Sequence, residues 1–150
     1  MFSKACEYAI RASLYISRKR GAGTKLGIKE IAKEIDSPLP FTAKILQTLT
    51  REGIVSSTKG PNGGFFLDPK AKPVPLYAIV KAFDGDDVLH GCSLGLKECS
   101  DRFPCPIHHD VKSYQTQLRK IMREKTLQKL SDDLSRGKTF LKARQIKSSR

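Results

Sequence analysis

The sequence has no tryptophan, and aromatic residues make up only 7% of its 150 positions. Proteins that grip single-stranded nucleic acid stack bases on aromatic side chains, so this scarcity argues against a basic RNA-binding protein. No apolar run approaches the roughly 20 residues that a bilayer span needs. The opening residues, Met1 to Tyr8, lack a signal-peptide apolar stretch, and the expected location is the cytoplasm. Signatures of catalysis are missing too: there is no phosphate-binding glycine loop, no His-Glu-x-x-His and no nucleophile–base motif. An enzyme is not expected.

Acidic residues are also few. Against 15 Asp and Glu stand 28 Lys and Arg, a net charge of +13. Such an excess is the footprint of a polyanionic partner, most often nucleic acid. Its distribution is uneven. Residues 1–73 carry a net +7, residues 74–110 a net −3, and residues 111–150 a net +9. An acidic middle therefore separates two basic ends.

The first segment reads as a helix over residues 5–17, with Ala5, Ala9, Ala12 and Ile16 on its apolar stripe. Ser3 suits its N-cap, and Gly21 to Gly23 stop it. Arg18, Lys19 and Arg20 fall in or near its last turn, either as a solvated helix end or as a phosphate contact. Ile28, Ile31, Ala32 and Ile35 predict a second, short helix that Asp36-Ser37-Pro38 breaks. A third carries Phe41, Ile45, Leu46 and Leu49 on its apolar side and ends at Gly53. Two short helices joined by a tight turn make a helix-turn-helix candidate.

The segment after Gly53 strengthens that candidate. Ile54 to Thr58 and Phe65 to Leu67 are β-rich, and Lys59-Gly60-Pro61-Asn62-Gly63-Gly64 between them is a dense turn signal. This predicts a hairpin wing whose glycine-rich tip lets backbone approach a phosphate, with Lys59 supplying charge. The winged helix-turn-helix spans Ile28 to about Leu67, and its expected partner is double-stranded DNA.

Pro73-Val74-Pro75 opens a fourth helix with Leu76, Ile79, Val80 and Phe83 buried, and Asp84-Gly85-Asp86-Asp87 closes it. Residues 88–106 are loop-like and hold three of the four cysteines, Cys92, Cys99 and Cys105. Val111, Tyr114, Leu118 and Ile121 then form a narrow apolar seam suited to a partner helix. The stripe restarts at Leu127, Leu130 and Leu134 behind a Thr126 N-cap. The expected fold is mainly α: a winged helix-turn-helix domain (1–87) with a small hairpin wing, a cysteine-bearing sensor loop (88–109), long dimerisation helices (110–136) and a basic tail (137–150).

The run Leu-Thr-Arg-Glu-Gly-Ile-Val-Ser-Ser, then Lys-Gly-Pro-Asn-Gly-Gly-Phe, resembles the Rrf-two family of bacterial winged-helix transcription regulators. So do Tyr8-Ala9-Ile10-Arg11 and the placing of three cysteines just before the long helix. The resemblance covers residues 1–136 and points to the family's three-cysteine iron–sulfur branch. It implies a homodimer whose recognition helices read a palindromic operator while the wings reach the adjacent minor grooves. It places the readers at the start of the third helix, on Pro40, Thr42, Ala43 and Lys44. The wing residues Lys59, Gly60, Pro61, Asn62, Gly63 and Gly64 join them. In the family's cluster regulator an acidic residue stands at the place of Ala43 and glutamine at that of Lys44, so its operator does not carry over.

The cysteine loop reads Cys92-x6-Cys99-x5-Cys105-x2-His108. Cys-x2-Cys pairs are absent, which counts against structural zinc. Three thiolates with one non-cysteine ligand suit a [2Fe–2S] cluster, and the resemblance implies one. His108 matches the place of a histidine ligand in the family's cluster regulator. Glu7 is the alternative, matching a carboxylate that the opposite subunit supplies in the family's nitric-oxide sensor. Cys6 reads as a small core residue. The resulting expectation is a DNA-binding regulator that senses redox, nitric oxide or cluster status. The alternatives are the same DNA head with thiol–disulfide sensing, or a small iron–sulfur electron-transfer protein.

Overall fold

The computed structural model of the chain describes residues 1–21 and 23–142. The basic tail expected at 137–150 therefore lies largely outside the described residues. The elements run α1 (Lys4–Arg18), α2 (Ile28–Ile35), α3 (Leu39–Arg51), β1 (Ser56–Thr58), β2 (Gly64–Phe66), α4 (Leu76–Asp84), α5 (Asp87–His90), α6 (His108–Glu124) and α7 (Leu127–Ser135). Among the described residues, no helix is long and apolar enough to cross a membrane.

Helix α1 is the central post, packed against α2, α3, α4 and α7. The Ser3 hydroxyl accepts from the Cys6 N–H at its N-terminus, as the capping preference predicts. Cys6, Ala9, Ala12 and Ile16 are buried, whereas Ala5 is only half-buried. Small side chains here let neighbouring helices approach closely.

Helices α2 and α3 meet through a short turn. Asp36 adopts the left-handed conformation (φ 53°), and the Ser37 N–H donates back to the Ala32 carbonyl at 3.0 Å. Pro38 caps α3 and Pro40 sits in its first turn, where a missing N–H is harmless. Ile31 and Ile35 of α2 face Ile45, Leu46 and Leu49 of α3 in one core. Buried Ile54 and Val55 lead straight into the hairpin, where Ser56 pairs with Phe66, Ser57 with Phe65 and Thr58 with Gly64. Leu26 and Phe65 exchange two 2.8 Å backbone bonds, which seats the hairpin on the segment before α2.

Several expectations change in the second half. Pro75 is extended and precedes α4, because the Leu76 N–H donates to the Lys125 carbonyl and the Leu127 N–H to that of Val74. This short bridge pins the α6–α7 joint to the start of α4, and Phe83 is half-buried rather than buried. The second change is that α7 packs on α1 of the same subunit, with Leu127 and Leu134 in the core. Arg20 fastens the contact by donating to the Ser131 hydroxyl at 2.6 Å and the Asp132 carboxylate at 2.7 Å. Arg20 is thus a tie between α1 and α7 rather than a solvated helix end.

On α6 the expected seam divides. Leu118 turns inward beside Gln115 and Met122, and Val111 is half-buried. Tyr114 and Ile121 remain 54% and 47% exposed. With Ile107 at 39% they form a stripe of strict seven-residue spacing on the outer face of this helix.

Candidate DNA interface and sensor loop

Helix α3 presents Pro40, Ala43, Lys44, Gln47 and Arg51 to solvent on the side away from the core. Thr42 does not belong to this face. Its side chain is fully buried, and its hydroxyl donates to the Pro38 carbonyl at 3.0 Å. It shares the inward face with Ile45, Leu46 and Leu49 and cannot touch a base edge without unfolding the turn. Gln47, overlooked in the sequence, stands one turn beyond Ala43 and Lys44. The signal was its spacing from those two residues, opposite in phase to the apolar positions. A glutamine amide can both donate and accept, the pattern that reads adenine in the major groove.

In the wing, Lys59, Gly60, Pro61 and Asn62 are exposed, and Gly63 and Gly64 are half-buried. Those last two glycines serve the fold first. A Cβ at Gly63 would lie 2.3 Å from the Thr58 carbonyl oxygen, and one at Gly64, whose φ is 151°, would lie 2.7 Å from that of Leu26. Only glycine lets the hairpin close and dock there. Lys25, also overlooked, adds charge at the wing's base, with its ammonium 5.7 Å from the Phe66 ring centre. Among the described residues, Lys44 and Lys59 have no ion-pair partner, which leaves both charges available to a polyanion.

The loop between α5 and α6 carries the cysteines. Cys92 and Cys105 are half-buried, Cys99 is exposed, and all three are free thiols. Together with Leu94, Ile107, His108 and Val111 they line one small recess at the N-terminus of α6. His108 is nearly fully buried. Its Nδ1 lies 3.3 Å from the Cys99 sulfur, and its Nε2 lies 2.8 Å from an Asp101 oxygen. Lys112, one turn further along α6, closes on the same carboxylate at 2.5 Å. The Lys112 ammonium, and secondly the His108 ring, hold the Asp101 carboxyl down at about 2.

The loop is also tied to α6 at its start. Arg119 donates to the Leu89 carbonyl at 2.7 Å, and Gln115 donates to that of Gly91 at 2.8 Å. Glu7 lies elsewhere, paired with Lys4 at 2.9 Å, a contact that lowers its carboxyl below the ordinary range. Cys6 sits apart in the core, where burial, then the charges of Asp84 and Glu7, push its thiol up to about 12.

Among the described residues, no three His, Cys, Asp or Glu side chains are gathered closely enough to hold one metal ion. The donor chemistry nevertheless fits an iron–sulfur cluster: three free thiols and an imidazole open onto one apolar recess. The residues between them include Gly95 and Pro104, with few backbone bonds restraining their approach.

A helix-turn-helix backed by α1, followed by a hairpin with a basic glycine-rich tip, defines a winged-helix DNA-binding protein. Comparison with known proteins narrows the class. The Rrf2 family, described as an iron-dependent transcriptional regulator, matches residues 2–133. The chain belongs to this family, and it is a transcriptional regulator, not an enzyme. An HTH-type transcriptional regulator of Aquifex aeolicus is 31% identical over 132 residues, 87% of this chain and 90% of that one. The NsrR regulator of Oceanobacillus iheyensis is 26% identical over 128 residues, 85% of this chain and 86% of that one. Among solved structures, CymR of B. subtilis, the global cysteine regulator, superposes with a TM-score of 0.69 at 18% identity. It covers 88% of this chain and 96% of that one. T. potens IscR superposes at 0.68 with 16% identity, covering 95% and 93%. These likenesses establish the mainly helical winged fold.

Proposed function

We propose that the chain acts in the cytoplasm as a homodimer that binds a palindromic operator in double-stranded DNA. In this reading a [2Fe–2S] cluster held by Cys92, Cys99, Cys105 and His108 sets its affinity. The observation that carries the reading is that those four side chains line one recess. The cluster would supply a redox- and nitric-oxide-sensitive centre at the joint between the DNA head and α6. Pro40, Ala43, Lys44 and Gln47 would face base edges from α3, and Lys59 to Asn62 would follow the backbone from the wing. The exposed stripe Ile107, Tyr114 and Ile121 would meet the same stripe of a second subunit. The operational units would be the DNA head (1–87), the sensor loop (88–109) and the 110–136 helices. Of these helices, α6 would form the dimer seam and α7 would brace α1.

The chain's own residues account for the coupling. Arg119 and Gln115 hold Leu89 and Gly91, and Asp101 bridges His108 and Lys112. Drawing the loop together around a shared centre would therefore pull on α6, and α6 packs on α4 of the DNA head.

The test is anaerobic purification with iron and sulfide analysis, visible absorption, and operator binding before and after chelation. Iron with charge-transfer absorption, and a changed affinity on its removal, are expected. A sample with neither iron nor absorption overturns the reading. The exposure of Cys99 favours a second reading, in which the thiols form a disulfide. That version predicts an oxidant-dependent affinity in a metal-free protein.

A further inference from the structure

Asp101 is not among the ligands proposed above, yet it is the residue through which His108 is held. A carboxylate only accepts hydrogen bonds, so the 2.8 Å contact requires His108 Nε2 to carry the hydrogen. In the neutral ring, the form able to ligate, Nδ1 then keeps its lone pair, and it lies 3.3 Å from the Cys99 sulfur on the side of the recess. The ring is buried among loop and helix atoms, so an exchange of its two nitrogens would break both contacts.

We infer that Asp101, braced by Lys112, is a positioning residue that turns His108 so that Nδ1, and not Nε2, is the nitrogen offered to the cluster. The inference rests on the cluster reading and deepens it. Three features carry it. Asp101 is clamped between His108 and Lys112, groups one helical turn apart on the same face of α6. Asp101 follows Cys99 by two residues, so fixing the carboxylate also restrains that thiol beside the ring. Histidines that bind metals commonly donate their other ring N–H to a carboxylate, which sets the tautomer and makes the ligand more basic. A more basic ligand next to a negative charge favours the oxidised form of whatever it binds. Asp101 is therefore expected to depress the reduction potential and slow the loss of iron.

The experiment uses the full chain, reconstituted anaerobically and reduced with dithionite. Histidine is labelled with nitrogen-15 at Nδ1 alone or at Nε2 alone, and pulsed electron paramagnetic resonance reads which label couples strongly to the reduced cluster. The Nδ1 label is expected to do so. Asp101→Ala should raise the reduction potential and speed iron loss several-fold. Asp101→Asn, which keeps a carbonyl acceptor but no charge, should fall between. Asp101→Asn keeps an acceptor for the buried His108 Nε2, so thermal unfolding of that metal-free variant should match the parent, which separates positioning from general damage. Strong coupling at Nε2, or an unchanged potential in Asp101→Ala, overturns the inference and leaves the cluster reading standing, whereas no coupled imidazole at all overturns the inference together with the place of His108 among the ligands. A parent protein that binds no iron overturns both.

Discussion

Thr42 and Gln47 lie on the same helix and face opposite ways. Thr42 is locked by its bond to the Pro38 carbonyl, whereas Gln47 is free to meet a base. Gln47→Ala should therefore weaken operator binding by about 1–3 kcal/mol, roughly 5- to 150-fold, with the melting temperature unchanged. Thr42→Ala should instead cost about 1–2 kcal/mol of stability, because it removes a buried hydroxyl and leaves a small void. Gel-shift titration beside thermal unfolding separates the two outcomes. The apolar period of α3 was legible in the sequence and already contained Thr42, three and four positions before Ile45 and Leu46. Residue polarity pointed the other way, and the local bond that satisfies the hydroxyl has no sequence signature. Cys6 was legible as a core residue, and its environment has a pH consequence. Its thiol is raised from an ordinary 9.0 to about 12. It thus contributes stability that is complete below pH 9 and is lost as pH rises towards 12. Tyr15 is pushed the same way, by burial and then by its bond to Glu30. Cys6→Ala should accordingly flatten part of the alkaline fall in stability, measured by denaturant unfolding between pH 8 and about 11.

Helices α6 and α7 carry similar apolar spacing and put it to different uses. On α7, Leu127 and Leu134 are buried, and the helix packs on α1. On α6, Tyr114 and Ile121 stay in solvent. Leu127→Ala should cost about 2–5 kcal/mol of stability, the usual range for truncating a fully buried leucine. Ile121→Glu should leave the subunit folded but place like charges across the proposed two-fold interface. Sedimentation should then show monomers for Ile121→Glu and dimers for the parent, and dimers from Ile121→Glu would count against this seam. Periodicity revealed both stripes but could not say which face each would meet. Arg20, Gln128 and the Val74–Leu127 backbone bond bring α7 home, and these are contacts over more than 50 residues of sequence. The wing was more legible, because its strands, turn and glycines are all local.

Across the whole molecule, the acidic middle of the chain lies between the DNA head and α6, and two α6 side chains hold its first turns. Arg119 reaches the Leu89 carbonyl, and Leu89 itself is fully buried in the core shared with α4. This contact joins the cysteine loop to α6, while Leu89 packs in the core with α4, and it touches no proposed ligand. Coupling between two sites is a difference in free energy, typically about 1–3 kcal/mol, and it passes through whichever contacts change between the two states. Arg119→Ala should therefore leave iron content and visible absorption as in the parent. It should also shrink, several-fold, the ratio of operator affinities with and without cluster. Gln115→Ala tests the same path one turn earlier, at Gly91. The two effects should be less than additive if both residues hold one rigid joint. If the affinity ratio survives both substitutions, the signal travels instead through His108, Asp101 and Lys112 at the far end of the loop. The paired variants would then locate the hinge as well as test it.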